Sequence, residues 1–267
     1  MSYKQSKRII LPIILGVLGF IMILISETIN QIHGSKMLII AWLASILVTI
    51  STIIIRFYSI DPEKFKDVIQ KTSFVENRQL KPLRFSNWIV IAMIVGLIAT
   101  IVIAFDFIIG MIVYLLMQIS LIIAFSGIIF INPFVQLNHP KLRKIFLISI
   151  IFWILFIPIV FFVFVWNGTE SLIVVPYVIT IGAMACISWF GVAYTQRSKI
   201  FRYFIVAASS LFVFSDLLIG NARYGTLRID VYLLIDITYV LNILLMSHAQ
   251  LFLRGVLRLS SDKKRMN

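Results

Sequence analysis

The sequence predicts an all-α, polytopic membrane helix bundle of eight transmembrane helices with cytoplasmic N- and C-termini. Three observations predict it. Of 267 residues, 61% are hydrophobic and only 13% charged, about half the charged share of a soluble domain. Apolar runs of spanning length recur along the chain. The basic residues fall on alternate sides of those runs. A chain this apolar keeps its exterior out of water only by facing lipid, since its apolar area far exceeds any patch a soluble surface tolerates. Each span needs about 20 apolar residues, so the length is consumed by spans. The result is one transmembrane domain over 1–267, with a short cytoplasmic loop at 58–86 and a tail at 254–267.

Runs bounded by charges, Pro and Gly place the spans near 9–26, 37–57, 87–105, 108–131, 145–166, 171–194, 201–220 and 231–252. The first follows a basic stretch but lacks a small-x-small cleavage site and is followed by Glu27 and Asn30, so an uncleaved anchor is expected. After the second span, Asp61-Pro62-Glu63 supplies an N-cap, a first-turn proline and an acid. Phe65, Val68 and Ile69 then share a face, which suggests a short interfacial helix; a solvated linker is the alternative. The third and fourth spans are separated only by a turn at Asp106 to Gly110, because Asp106 is the sole charge between Arg84 and His139. That stretch is about two bilayer crossings long. Asn167-Gly168-Thr169 is a glycosylation sequon on the expected outer side.

Charge bias tests the count. With the N-terminus inside, 21 of the 24 Lys and Arg fall inside, leaving only Lys36, Arg223 and Arg228 outside. Removing the Asp106 turn would invert every later loop. The net charge of +13 therefore belongs to cytoplasmic loops, and no nucleic-acid partner is expected. The expected location is the cell membrane, and the partners are membrane lipids. Oligomeric state is not legible.

Every Lys and Arg lies at or beyond a span end, whereas Asp216 and Asp236 fall within spans and Asp106 at a span edge. An acid in hydrocarbon is costly and marks a protein interior, a water cavity or function. Helical rise sets Asp216 about 22 Å above the inner end of its span and Asp236 about 8 Å below an outer end. With Asp106 at the outer turn, all three occupy the outer half. Gln118 and Asn242 lie below them, near mid-membrane. Spacing puts Ser209 with Asp216, Tyr114 with Gln118, and Tyr232 with Asp236 and Tyr239 on common faces. A polar pocket between the third, fourth, seventh and eighth helices fits this pattern. Each residue also has a plainer role: Asp106 as a solvated turn, Asp236 wetted near the headgroups, Gln118 and Asn242 as interhelical hydrogen bonds, His248 as an interfacial residue.

Several classes are excluded. Cys186 stands alone and supports neither a disulfide frame nor a cysteine metal cluster. His33 and His139 sit in opposite loops and His248 is solitary, so a multi-histidine zinc site cannot be built. No intrahelical Lys is present for a retinal, and no phosphate loop, dinucleotide fingerprint or nucleophile elbow appears. No cofactor is expected.

The seventh span reads Ala208-Ser-Ser-Leu-Phe-Val-Phe-Ser-Asp216 and the eighth ends Met246-Ser-His-Ala-Gln250. This resembles the lysoplasmalogenase-like (YhhN) family of eight-helix membrane proteins, whose late signature places Phe-x-x-Ser-Asp in one helix and Ala-Gln at the close of the last. Phe212, Ser215, Asp216, Ala249 and Gln250 match it, and Tyr177 and Met184 match the family's Tyr and Met. Asp106 and Gly110 fit an earlier Gly-Asp and Gly signature, with Phe105 in the place of the first Gly, Tyr114 in that of a Phe and Gln118 in that of a His. Ser247 and His248 replace a tyrosine pair.

The resemblance implies hydrolysis of the vinyl ether bond of a lysoplasmalogen, a lysophospholipid, to an aldehyde and a glycerophospho-head group. Such cleavage starts with protonation of the alkene carbon, and water captures the oxocarbenium ion. Two carboxyls suit it, one protonated as acid and one ionised. Asp216, the deeper, is expected as the acid and Asp106 as its partner, the reverse assignment remaining open. Gln118, Tyr177, Ser215, Asn242 and Gln250 are the expected substrate contacts. The competing expectation is a non-enzymatic transporter or lipid-binding sensor using the same acids, and the plainest is a scaffold with wetted acids.

Overall fold

The protein, seen in a computed structural model described over residues 3–33, 38–59, 76–129, 138, 140–193, 197–224 and 232–256, is helical throughout, with no strand among these residues. Eight α-helices follow in order: α1 Tyr3–His33, α2 Leu38–Ser59, α3 Glu76–Val102, α4 Phe107–Ile128, α5 Pro140–Val160, α6 Val175–Phe190, α7 Lys199–Tyr224 and α8 Tyr232–Ala249. Six stretches within α3 to α8 and their flanking turns are long and apolar enough to cross a bilayer; α1 and α2 carry shorter apolar stretches, Ile10–Ser26 and Trp42–Phe57. The protein is a multi-pass membrane protein. The segment expected to form an interfacial helix lies outside the described residues.

The eight expected spans each meet a helix, but the ends differ. α3 begins at Glu76 rather than near 87, and α7 runs to Tyr224 rather than 220. Hydropathy marks the lipid-facing stretch, whereas backbone hydrogen bonding carries a helix on through the charged residues beside it.

Lipid exposure follows from the surface. On α5, Ile151, Ile154, Leu155 and Ile159 are each more than half exposed, and their spacing forms one stripe. The other side of α5 packs on α6 through Phe146 against Phe190 and Trp153 against Trp189. Conversely, Ser, Thr, Asn and Gln side chains are buried in the interior, including Ser51, Ser86, Gln118, Ser209, Asn242 and Gln250. The packing therefore places polar side chains inside and aliphatic ones against lipid.

Asp106 does turn the chain between α3 and α4. Its carboxylate accepts from Ile109 N at 2.9 Å as the N-cap of α4, while its own N–H donates to Val102 O at 2.9 Å. Gly110 makes the hairpin close: a Cβ there would lie 2.5 Å from Ile103 Cα, so only glycine lets the two backbones touch. α5 ends differently. Pro158 lies near its end, and Phe161–Val165 continue as a π turn in which Trp166 N donates to Phe161 O. Gly168, with φ +86°, then reverses the chain into a 3₁₀ turn, Thr169–Val174, and leaves the sequon's Asn167 exposed.

At the opposite end, where α3 and α7 begin, side chains tie helices together. Ser86 of α3 donates to Gln250 Oε1, and Gln250 Nε2 returns to Ser247 O at 3.1 Å. Ser188 of α6 meets Ser209 of α7 at 2.5 Å. His248, half-buried, packs α8 onto α1, its ring so near Gly16 that a Cβ there would stand 2.8 Å away.

Candidate active site

At the Asp106 end of the bundle, α4, α6, α7 and the π turn surround a small, partly open cavity. Its walls are apolar: Ile103, Phe107 and Met111 on one side, Val165, Val174, Val178 and Ile181 on another, Val213, Leu217 and Ile219 on the third. The polar exceptions are Asp216, Tyr177, Tyr114 and Tyr224. Among the described residues, Asp216 is the one carboxylic acid in the wall, and no Lys, Arg or His contributes to it.

Helical register explains the convergence. Asp216 lies one turn beyond Phe212 and Val213, which are buried in the core, so α7 turns its carboxyl inward. Tyr177 sits in the first turn of α6, and its hydroxyl donates to Asp216 Oδ2 at 2.5 Å. Tyr114, one turn below Gly110 on α4, completes the polar part of the wall. Its hydroxyl belongs to a three-membered cluster, 2.8 Å from Thr100 Oγ1 and 3.1 Å from the Tyr239 hydroxyl, with Thr100 to Tyr239 at 2.9 Å. Thr100 also donates to Gly96 O at 2.9 Å, which leaves the two phenols to donate within the cluster. The cluster pins α3, α4 and α8 behind the cavity.

Gln118 and Asn242 lie one turn further in, four residues after Tyr114 and three after Tyr239. Both are fully buried, and neither amide group has a hydrogen-bond partner among the described residues. Buried amides left with all their valences open are rare in packed interiors, and neither of these two is part of the cavity wall.

Of the expected site residues Asp216 and Tyr177 are in the wall, and the structure brings none of the others to it. Asp106 is exposed, commits its carboxylate to Ile109, and is absent from the wall although its neighbour Phe107 is part of it. Ser215 turns away from Asp216 and donates to Ile235 O on α8 at 3.3 Å. Gln250 is at the far end, with both halves of its amide bonded to protein. Asp236 is half-buried on α8 and outside the wall. In the other direction, Thr100 and Tyr224 carry no sequence signal. Neither stands out from the other polar residues of its helix, and the partners of each are set by tertiary packing.

A carboxyl bonded to a phenol in an apolar chamber can give or take a proton and can stabilise a nearby cation. A family model, the YhhN family, matches residues 71–249, about two thirds of the chain. No curated protein and no solved structure matches it significantly. The matched stretch contains every wall of the cavity. The chain belongs to the YhhN family.

Proposed function

We propose that this protein is a membrane hydrolase of the lysoplasmalogenase type, cleaving the vinyl ether of a lysolipid by acid catalysis centred on Asp216. The observation that carries the reading is a single carboxyl, hydrogen-bonded by Tyr177, in the wall of a mostly apolar cavity.

In this reading Asp216 carries the proton in the resting site and gives it to the alkene carbon beyond the ether oxygen. The resulting oxocarbenium ion lies beside the carboxylate just formed, whose charge stabilises it. A water adds to the cationic carbon and loses a proton to Asp216, which restores the acid. The hemiacetal then collapses to an aldehyde and a free glycerol hydroxyl. One water is consumed and no net proton. One carboxyl thus serves as acid and then base, so the second carboxyl of the expected pair is not required. Tyr177 keeps Asp216 oriented through its donated hydrogen bond. Gln118 and Asn242, buried and outside the wall, are assigned no contact with the guest. Asp106 is assigned to the α4 cap, and Ser215 and Gln250 to ties between helices. We place the protein in the cell membrane with its basic end cytoplasmic.

The test is aldehyde release from a lysoplasmalogen by the purified protein. Asp216→Asn is expected to lower kcat/KM by about 10²–10⁴-fold while leaving the thermal transition in place. Undiminished turnover in that variant overturns the mechanism. Binding of lysolipid with no release of aldehyde would favour a lipid sensor.

A further inference from the structure

A lysophospholipid bound in this cavity must put its phosphate somewhere, and the wall offers it nothing. Among the described residues no cationic side chain lines the chamber, and a phosphate inside it would be an unpaired buried charge. Among the described residues, one cation stands against a wall residue at the outer end of α7. Arg223 is exposed, and its guanidinium sits 5.3 Å over the ring of Phe107. Phe107 is itself a cavity wall, as is Tyr224, and the two rings meet edge to face at 6.0 Å. The charge is therefore held against the rim. A guanidinium over an aromatic face keeps its edge N–H groups free for an anion.

The register fits a lysolipid. Arg223 follows Asp216 by seven residues, two turns along the same face of α7, about 10 Å apart along the axis. In an alkenyl lysophospholipid seven bonds separate phosphorus from the alkene carbon that takes the proton. At the ~1.2 Å per bond of an extended chain they span about 8 Å. A phosphate on Arg223 thus sets that carbon at the level of Asp216, with the aliphatic chain continuing among Val178, Ile181 and Val213.

We infer that Arg223 is the head-group site, holding the phosphodiester of a lysolipid whose chain occupies the cavity. This rests on the Asp216 reading for the identity of the chain but is testable without turnover. The probes are a saturated ether lysophosphocholine, which has no alkene to protonate, and the alkylglycerol of the same chain length, which has no phosphate. Binding to the full-length protein in neutral detergent is measured by calorimetry.

The wild type is expected to prefer the lysophosphocholine by about tenfold or more, the scale of charge-assisted hydrogen bonds. Arg223→Gln is expected to bring that ratio close to one by weakening the phospholipid alone, and Arg223→Lys to restore part of it. An unchanged ratio in Arg223→Gln overturns the inference, since the arginine then meets only bilayer phosphates or the end of α7. Equal loss of both probes, or binding of neither by the wild type, overturns it too. Aldehyde release from the alkenyl lysolipid separates the two readings. If the ratio behaves as expected but no aldehyde forms, the hydrolysis reading fails and the head-group site stands. Asp216-dependent release with an Arg223-independent ratio is the reverse.

Discussion

The two ends of this bundle use the same kinds of polar side chain for opposite purposes. At the Gln250 end the hydroxyls and the amide are spent on the protein: Ser86 on Gln250, Gln250 on Ser247, Ser188 on Ser209, Ser198 on the carbonyl of Phe252. Phe85, stacked near Phe125 and edge-on to Phe201, fills the space between them. At the Asp106 end Asp216, Tyr177 and Tyr114 meet over a cavity, and only part of their bonding capacity is met by one another. Polar groups buried in a bilayer are thus no signature of a site by themselves. What separates glue from chemistry is whether the valences are closed by neighbouring helices or turned to a space another molecule can fill.

Substitutions at the two ends should therefore fail differently. The largest effect expected is the activity loss in Asp216→Asn, with stability retained. Gln250→Ala should do the converse. It strips the Ser86 hydroxyl of its acceptor inside a closed interior, and should cost about 1–2 kcal/mol of stability with kcat/KM of the folded fraction unchanged. Thermal denaturation beside an aldehyde assay reads both. A variant at Gln250 that kept its stability and lost turnover would break the contrast.

Between the two ends, Gln118→Leu removes an amide that has no protein partner at nearly constant volume. Stability is expected to rise by up to about 1 kcal/mol, with turnover unchanged. A lowered transition would show that the amide is structural glue. The smallest effect belongs to Asp106→Asn, because asparagine caps a helix about as well as aspartate. Stability within about 0.5 kcal/mol and retained aldehyde release are expected. A loss matching that of Asp216→Asn would restore the acid pair.

Much of this was legible in the residues, and the limits are specific. The eight helices are read from hydropathy because lipid leaves a helix no alternative for its backbone polar groups. Asp216 stands out for the same reason, a carboxyl within an apolar run. Tyr177 is reached only through the resemblance. The Thr100, Tyr114 and Tyr239 cluster is not legible at all, since three hydroxyls from three helices meet only once the helices pack. Asp106 and Gln250 show the limit from the other side. Type and position make both plausible site residues, but whether a side chain faces a cavity or a backbone amide is decided by its rotamer and by its neighbours. The ends of α3 and α7 are likewise invisible to hydropathy, because a helix does not stop where lipid does.

The turn at Asp106 also bears on how the protein enters its membrane. Between Val102 and Phe107 the N–H groups of Ile103, Ala104, Phe105 and Asp106 all donate to carbonyls of the α3 end, and Ile109 and Gly110 donate back to Asp106. The N–H groups from Ile103 to Asp106 are thus closed on the protein, and Asp106 is the turn's one charge. α3 and α4 can then cross as a preformed helical hairpin, with only Asp106 to be translocated. Should that hairpin stall, every later helix would insert upside down, and Asp216 would open its cavity to the opposite compartment.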